Sequence, residues 1–278
     1  GIRDVLGSRG LGDVYKRQLL DKKASVRGRA NVDYGLFAAV TANVNAGMIA
    51  PLVPAFKLFM GSTTGNILLD DDEEMIPAVR DVLATGKRMS VHAEDDHLIS
   101  REAEGCTRDH LRNRPAEAEW TAIRRLASNF GGSRINICHL TTPEGLDMAK
   151  AAGFTTEVTM HHMMFEVDRF PGAEYKVNPP LRDIDCRDRL FRRFLSGDID
   201  MFGSDHAPHT AEEKAQEFDA APGGIPGVET TMPMVMDMVR RDVIPMAQAV
   251  RMGAENPGRL FSVPKGRIAV GYLSLIHI

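Results

Sequence analysis

The chain has 278 residues, 43% of them hydrophobic, and a formal net charge of −4. This is enough for one large domain or two small ones with a sizeable core, and it excludes a mainly disordered chain. The 34 basic residues form no block that could follow a phosphate backbone, so nucleic acid is excluded as a partner. The most apolar stretch, residues 34–60, is interrupted by polar residues and prolines and predicts no membrane helix.

The cysteines and the ends of the chain bear on location and boundaries. Three widely spaced cysteines without a C-x-x-C pair argue against a disulfide framework and favour a cytoplasmic protein. Residues 1–18 show neither helical nor strand periodicity, and LSLIHI at 273–278 follows abruptly on GRIAVGY. We expect 1–18 to be a foreign or disordered segment, 19–264 to be the folded domain, and 265–278 to be a cut-short strand with a foreign tail.

Between the ends, short apolar segments that end in polar residues alternate with helical ones. Six buried strands are predicted, at 31–40, 55–61, 88–94, 135–140, 155–162 and 198–207. The acidic run at 70–74 precedes apolar residues at helical spacing, and Gly86 follows as a stop signal. Helices between successive strands predict that the strands are parallel.

Parallel βα units build either an open doubly wound sheet or a (β/α)₈ barrel of the TIM type. No G-x-G-x-x-G or P-loop motif follows any predicted strand, so the phosphate loops of open-sheet nucleotide binders are missing. In a barrel, the functional residues lie where the strands end. The unusual residues of this chain lie there, which favours the barrel.

Four predicted strands each carry one chemically unusual residue. Lys57 lies inside an apolar strand, and His92, His139 and Asp205 each lie near the end of a later one. Because strand ends converge in a parallel barrel, these groups could meet around a divalent metal, with zinc suiting the imidazole and carboxylate donors best. A buried lysine must lose its charge, find a partner or reach the edge, and carbamylation by CO₂ is one chemical solution.

The string SDHAPHT at 204–210, followed by Glu212, Glu213 and Lys214, resembles a signature of the dihydroorotases. Other segments resemble the same family in order and spacing: FKLFMG at 56–61, VHAE at 91–94, CHLTT at 138–142, KVNPPLR at 176–182 and GIPGVET at 224–230. The resemblance runs from about Asn31 to Tyr272.

The resemblance implies a metal-dependent barrel of the amidohydrolase superfamily, acting in pyrimidine biosynthesis. Such enzymes interconvert L-dihydroorotate and N-carbamoyl-L-aspartate with two zinc ions in the complete site. By resemblance, Lys57 is the carboxylated bridging ligand, His92 and His139 bind the more exposed zinc, and Asp205 is both ligand and proton shuttle. The resemblance also implies substrate-binding residues: Asn178, His209, Pro226, Gly227, Thr63 and Thr64.

One departure from the family is marked. Its H-x-H-x-R motif on the first strand occurs nowhere upstream of Lys57, and His92 is the first histidine of the chain. The six predicted strands and two missing ones would together make the eight strands of a (β/α)₈ barrel. We therefore interpret the chain as an incomplete barrel that lacks its first two strands and its β-sandwich, and we expect this fragment to be inactive.

Two other functions stay open. A hydantoinase or allantoinase would share the same four metal-site residues, with Asn178 and the pairing of Asp205 with His209 as the discriminating features. A non-catalytic dihydroorotase-like subunit could instead serve as a scaffold for aspartate transcarbamoylase. The expected partners are a small-molecule substrate and either a second copy of the chain or that transcarbamoylase.

Overall fold

The computed structural model describes residues 11–63 and 67–273. Within them, six parallel strands pair in chain order in a single sheet. They are β1 (Ala38–Ala39), β2 (Ala55–Phe59), β3 (Arg88–His92), β4 (Ile135–Ile137), β5 (Thr155–Thr159) and β6 (Met201–Gly203). Each coincides with one predicted strand, which confirms the parallel α/β architecture. No pairing between described residues joins β6 to β1, so the sheet is open.

Helices connect the strands along the chain. They are α1 (Leu11–Val26), α2 (Ala46–Ile49), α3 (Asp72–Ala84), α4 (Thr107–Asn113), α5 (Ala116–Phe130), α6 (Pro143–Ala151), α7 (Met160–Met164), α8 (Ile184–Leu195), α9 (Ala211–Lys214), α10 (Thr231–Arg240), α11 (Met246–Val250) and α12 (Asn256–Leu260). Helices α3, α5, α6 and α8 are the main crossovers from β2 through to β6, as parallel strands require. Within the described residues, no helix has both the length and the apolar character needed to cross a bilayer.

The strands are shorter than the apolar runs that predicted them. Only two residues of 31–40 and three of 198–207 pair in the sheet. Apolar character predicts burial, whereas a strand also needs a neighbouring backbone at the same level. The residues that follow each strand form the loops at the carboxyl edge of the sheet, and these loops carry the site.

Local signals explain where α3 begins and ends. Asp71 caps the helix, since its side chain accepts a hydrogen bond from the Glu73 backbone N–H at 2.7 Å. The acidic first turn complements the positive end of the helix dipole. Gly86, at φ +75°, follows the last turn in a conformation that favours glycine.

The two faces of the sheet differ in chemistry. Phe56 and Leu58 on β2 are fully buried and belong to the apolar core shared with the crossover helices. Lys57, between them, lies on the opposite face, because successive residues of a strand alternate in direction. Its partner in register on β3 is Ser90. The helix-covered face therefore supplies packing, and the concave face carries polar groups.

The structure differs from the sequence predictions at both ends of the domain. Residues 11–18, expected to lack regular structure, lie in α1, which is rich in good helix formers although it has no apolar stripe. Residues 1–10 and 274–278 lie outside the described residues. The segment 266–272, interpreted as a sandwich strand, pairs with no described strand, and Ile268 and Val270 on it are fully exposed.

Candidate metal centre and substrate site

The carboxyl ends of the strands bring the predicted site residues to one edge of the sheet. His92 is the last residue of β3, while His139 and Asp205 each lie two residues beyond the end of β4 and β6. His139 and Asp205 have φ values of 34° and 42°, in the left-handed region that side chains rarely adopt. Such strain persists where the surroundings enforce it and is common at functional sites.

His92 and His139 form a close pair of imidazoles. His92 Nδ1 lies 3.1 Å from His139 Nε2, and the ring centroids are 4.7 Å apart in an edge-to-face arrangement. Both side chains are buried. Burial lowers the pKa of His92, against the opposing effect of Glu94, and lowers that of His139 well below its ordinary value. Both rings are therefore neutral near pH 7, the state in which imidazole binds metals.

Glu94 fixes the orientation of the His92 ring. Its carboxylate is fully buried and lies 2.8 Å from His92 Nε2 and 2.6 Å from the Nη2 of Arg114. Burial would raise the pKa of Glu94, but the Arg114 guanidinium and His92 outweigh it and hold the pKa well below its usual range. Because the carboxylate accepts a hydrogen bond from the Nε2–H, the Nδ1 of His92 presents its lone pair to His139.

The facing nitrogens fit a shared cation. Nitrogen ligands at about 2.0–2.1 Å from a tetrahedral zinc lie roughly 3.4 Å apart, close to the observed 3.1 Å. The buried Nδ1 of His139 has no hydrogen-bond partner among the described residues. If His139 Nε2 donates to His92 Nδ1, the Nδ1 of His139 is left as an acceptor without a donor. If His139 Nδ1 carries the proton instead, the lone pairs of His92 Nδ1 and His139 Nε2 face each other, and a cation between them would remove the repulsion. The link from Glu94 to His92 is typical of residues that orient metal ligands.

Lys57 and Asp205 lie near this pair but not in ligand contact with it. The Lys57 Nζ is 5.2 Å from the centroid of the Phe59 ring. Loss of hydration raises the pKa of Asp205, although the residue is exposed, and the charge of Lys57 opposes that rise. The described residues contain no group of three or more His, Cys, Asp or Glu side chains gathered closely enough to hold a metal. The structure thus brings the two histidines together, and among the described residues no hydrogen bond joins Lys57 or Asp205 to them.

The predicted substrate-binding residues fall into two groups. Thr63 and Asn178 line one cavity of about 320 Å³ together with Gly223. His209 reaches its edge, since Nε2 lies 3.2 Å from the Gly223 carbonyl. Pro226 and Gly227 lie on the following turn, where the Gly227 N–H donates to His206 Nδ1 at 3.1 Å. Thr64 lies outside the described residues.

Several polar groups at the site were not identified from the sequence. Glu94 follows the strand-ending His92 by two residues, a spacing that could have marked it as a partner. Arg114, Glu104 and His110 carry no such signal, because loops bring them to the site from the α4 region. His162 has both ring nitrogens engaged, by Thr159 Oγ1 and the Pro179 carbonyl.

Comparisons with known proteins identify the relatives of this chain. No family model matches it. Curated proteins named dihydroorotase are similar to it: that of Methanosarcina mazei is 32% identical over 92% of the chain and 62% of the relative. The dihydroorotase of Halobacterium salinarum is 33% identical over 90% and 61%, and that of Bacillus caldolyticus 33% identical over 92% and 64%. The chain thus spans about three fifths of the length of these relatives.

Solved structures show the same fold. L-hydantoinase from Arthrobacter aurescens superposes with a TM-score of 0.82 at 24% identity, covering 92% of this chain and 62% of the hydantoinase. Dihydroorotase from Saccharomyces cerevisiae, solved with 5-fluoroorotic acid, gives a TM-score of 0.74 at 15% identity over 89% of this chain and 72% of that one. These neighbours are TIM-barrel amidohydrolases.

Fold and relatives point to one class of protein: the chain shares its fold with hydantoinases and a dihydroorotase, which are cyclic amide hydrolases. Within that class it is a homologue of the dihydroorotases. The resemblance found in the sequence motifs is confirmed.

Proposed function

We propose that the chain provides the zinc-binding and substrate-binding strands of a dihydroorotase, which reversibly hydrolyses L-dihydroorotate to N-carbamoyl-L-aspartate. The observation that carries the proposal is the buried, neutral pair of His92 and His139, whose nitrogens face each other at 3.1 Å at the carboxyl edge of the sheet. Similarity to curated dihydroorotases over about nine tenths of the chain supports the choice of reaction.

His92, His139, Asp205 and a carboxylated Lys57 would hold the zinc. The imidazole and carboxylate donors suit that metal, and the neutral state of both rings leaves their lone pairs available. When bound, zinc lowers the pKa of water and polarises a carbonyl group. Glu94 would keep His92 in the one ring orientation and tautomer that serve this purpose.

Asp205 is proposed to move the proton. In hydrolysis, a water oxygen adds to the ring carbonyl carbon and the carbon–nitrogen bond breaks. One Asp205 carboxylate oxygen takes the proton from the attacking water and delivers it to the leaving amide nitrogen. Loss of hydration raises the pKa of Asp205, which favours uptake of the proton relative to an ordinary carboxylate. The biosynthetic direction runs through the same transfers in reverse.

The substrate is held by groups that suit a carboxylate and a cyclic amide. Asn178 and His209 provide side-chain donors, and the backbone at Pro226 and Gly227 adds polar groups on the adjacent turn. Thr63, which lines the cavity, would contact the substrate. The same role is proposed for Thr64 from the family resemblance alone. Charged hydrogen bonds are stronger than neutral ones, so a dihydroorotate carboxylate gains most from such donors.

Dihydroorotase is favoured over the alternatives. The hydantoinase neighbours share the fold at 24–25% identity or less, whereas the curated relatives at 32–33% are dihydroorotases. A cytoplasmic location, self-association and association with aspartate transcarbamoylase stay predictions. So does the division into a segment 1–18, a partial barrel 19–264 and a terminal segment 265–278.

Zinc binding tests the proposal on the chain as it stands. We expect the purified chain to retain zinc through dialysis and to lose it in His92→Ala and His139→Ala. His97→Ala is the matched control, because His97 follows the same strand but is exposed. Calorimetry should then show that the zinc-loaded chain binds dihydroorotate more tightly than hydantoin. Equal zinc retention in all variants, or a preference for hydantoin, would contradict the proposal.

A further inference from the structure

A buried histidine outside the proposed metal site contacts the substrate cavity. His110, on α4, is 5% exposed and lines the same cavity as Asn178. Its Nε2 lies 2.8 Å from Asn178 Oδ1 and 3.1 Å from the Val177 carbonyl oxygen. Its Nδ1 lies 2.8 Å from Glu104 Oε1. Oxygen atoms therefore face both ring nitrogens.

The partners of His110 define its protonation at both nitrogens. The Val177 carbonyl can only accept, so Nε2 must carry a proton. On the other side, Glu104 would have its pKa raised by burial, but hydrogen bonds from His110 and Asn113 and the nearby Lys176 lower that pKa to about 2. Glu104 is thus a carboxylate at neutral pH, and Nδ1 faces an acceptor as Nε2 does.

Three further side chains surround the pair of Glu104 and His110. Lys176 Nζ lies 3.1 Å from the second oxygen of Glu104, so the carboxylate contacts both Lys176 and His110. The Asn113 amide donates to Glu104 Oε1 at 3.0 Å. The ring of Phe218 lies edge-to-face with His110, its centroid 6.2 Å away. No other ionised side chain is hydrogen-bonded to the imidazole among the described residues.

We propose that His110, held by Glu104, is a positioning residue that fixes the side-chain amide of Asn178. Because Nε2 donates, Asn178 must turn its oxygen toward His110 and its NH₂ group away. The NH₂ group then lies beside Gly223, where an added Cβ would be 3.2 Å from Asn178 Nδ2. His209 contacts the carbonyl of the same glycine. The two proposed substrate donors thus converge on Gly223.

This arrangement gives Asn178 one defined role. An Asn side chain can present either a donor or an acceptor, and the two orientations are close in energy without a fixed partner. With His110 Nε2 donating to Asn178 Oδ1, the Asn178 amide presents its NH₂ donor to the cavity, which matches a carboxylate or carbonyl oxygen. The substrate assignment rests on the proposed dihydroorotase function, whereas the orientation of Asn178 follows from the contacts of His110 alone.

Nitrogen NMR of the full chain, labelled with ¹⁵N-histidine, tests the positioning role. At neutral pH both His110 nitrogens should show the chemical shifts of a protonated imidazolium, with the signals assigned by their loss in His110→Gln. In Glu104→Gln we expect one nitrogen to lose its proton. Glu102→Gln is the matched control, because the neighbouring Glu102 is exposed, and it should leave both protonated. A neutral His110 in the unaltered chain, or an unchanged imidazolium in Glu104→Gln, would overturn the proposal.

Ligand binding separates this inference from the proposed function. Dihydroorotate should shift the side-chain amide signal of Asn178 in the unaltered chain and bind about tenfold more weakly to Glu104→Gln. If both His110 nitrogens are protonated but dihydroorotate does not bind, the proposed function fails and the positioning role stands. If dihydroorotate binds equally well to Glu104→Gln and Glu102→Gln, the positioning role fails and the proposed function stands.

Discussion

Arg114 and Glu94 form a buried ion pair next to His92. The Nη2–Oε2 distance is 2.6 Å, and Nε lies 3.2 Å from both carboxylate oxygens. The same guanidinium donates to the Ser62 carbonyl at 2.8 Å. Arg114 thus links His92, through Glu94, to the loop that follows β2 and carries Thr63.

Replacing Arg114 with leucine should destabilise the chain by about 3–5 kcal/mol, because the buried Glu94 carboxylate would lose its countercharge. Arg112→Leu is the control, since Arg112 is exposed and its ion pair with Asp109 contributes little. Denaturant unfolding of both variants measures the difference. Losses within about 1 kcal/mol of each other would show that the buried pair is not a stabilising element.

The acid side of the stability profile should depend on Glu104. Its pKa is lowered from 4.5 to about 2 in the folded chain, so its stabilising effect is fully present above pH 4.5. That effect is lost as the pH falls from 4.5 toward about 2, where the folded state also takes up the proton. Thermal unfolding across this window should show a shallower pH dependence for Glu104→Gln. The exposed Glu102→Gln should follow the unaltered chain, and identical profiles for all three would refute the assignment.

Gly145, in the first turn of α6, should not tolerate a side chain. An added Cβ would lie 2.5 Å from Glu119 Oε1 and 2.8 Å from Thr142 Oγ1. Glu119 accepts hydrogen bonds from the backbone and side chains of Thr141 and Thr142, so it cannot move without losing them. We expect Gly145→Ala to cost about 1–3 kcal/mol in unfolding free energy.

Gly47→Ala supplies the comparison for that substitution. Gly47 also lies in the first turn of a helix, but its added Cβ meets nothing closer than 3.9 Å. There alanine should be neutral or stabilising by up to about 1 kcal/mol, owing to its higher helix propensity. Equal effects of the two substitutions would mean that the Glu119 contacts leave room at Gly145.

The sequence predicted the sheet well because buried parallel strands have a clear apolar signature. It also located His92 and His139, since both follow such runs directly. It did not predict the pairing of Arg114 with Glu94 or of His110 with Asn178. These contacts join residues 20 and 68 positions apart. They depend on how the loops around α4 fold back over the sheet, and no local sequence pattern predicts the course of these loops.

The placement of Asp205 shows a second limit of sequence reasoning. The SDHAPHT string located it at the end of β6, but its side-chain distance from the histidines depends on the backbone beyond the strand. That backbone turns sharply at Asp205, with φ 42°, and again at Gly224, whose amide donates to the Lys176 carbonyl at 2.8 Å. Such turns are set by contacts between two loops and not by either segment alone.

The chain of 278 residues, loaded with zinc, should not hydrolyse dihydroorotate above the buffer rate. The family resemblance implies two metal positions in the complete site, and the first histidine in the sequence is His92. His92 and His139 can serve one metal position, which leaves the other without imidazole ligands. Opening of the dihydroorotate ring, followed by absorbance, measures the rate, with the Bacillus caldolyticus dihydroorotase as the positive control. Turnover by the chain that disappears in Asp205→Asn would contradict this expectation, because it would show that one metal position and the Asp205 carboxylate suffice for the reaction.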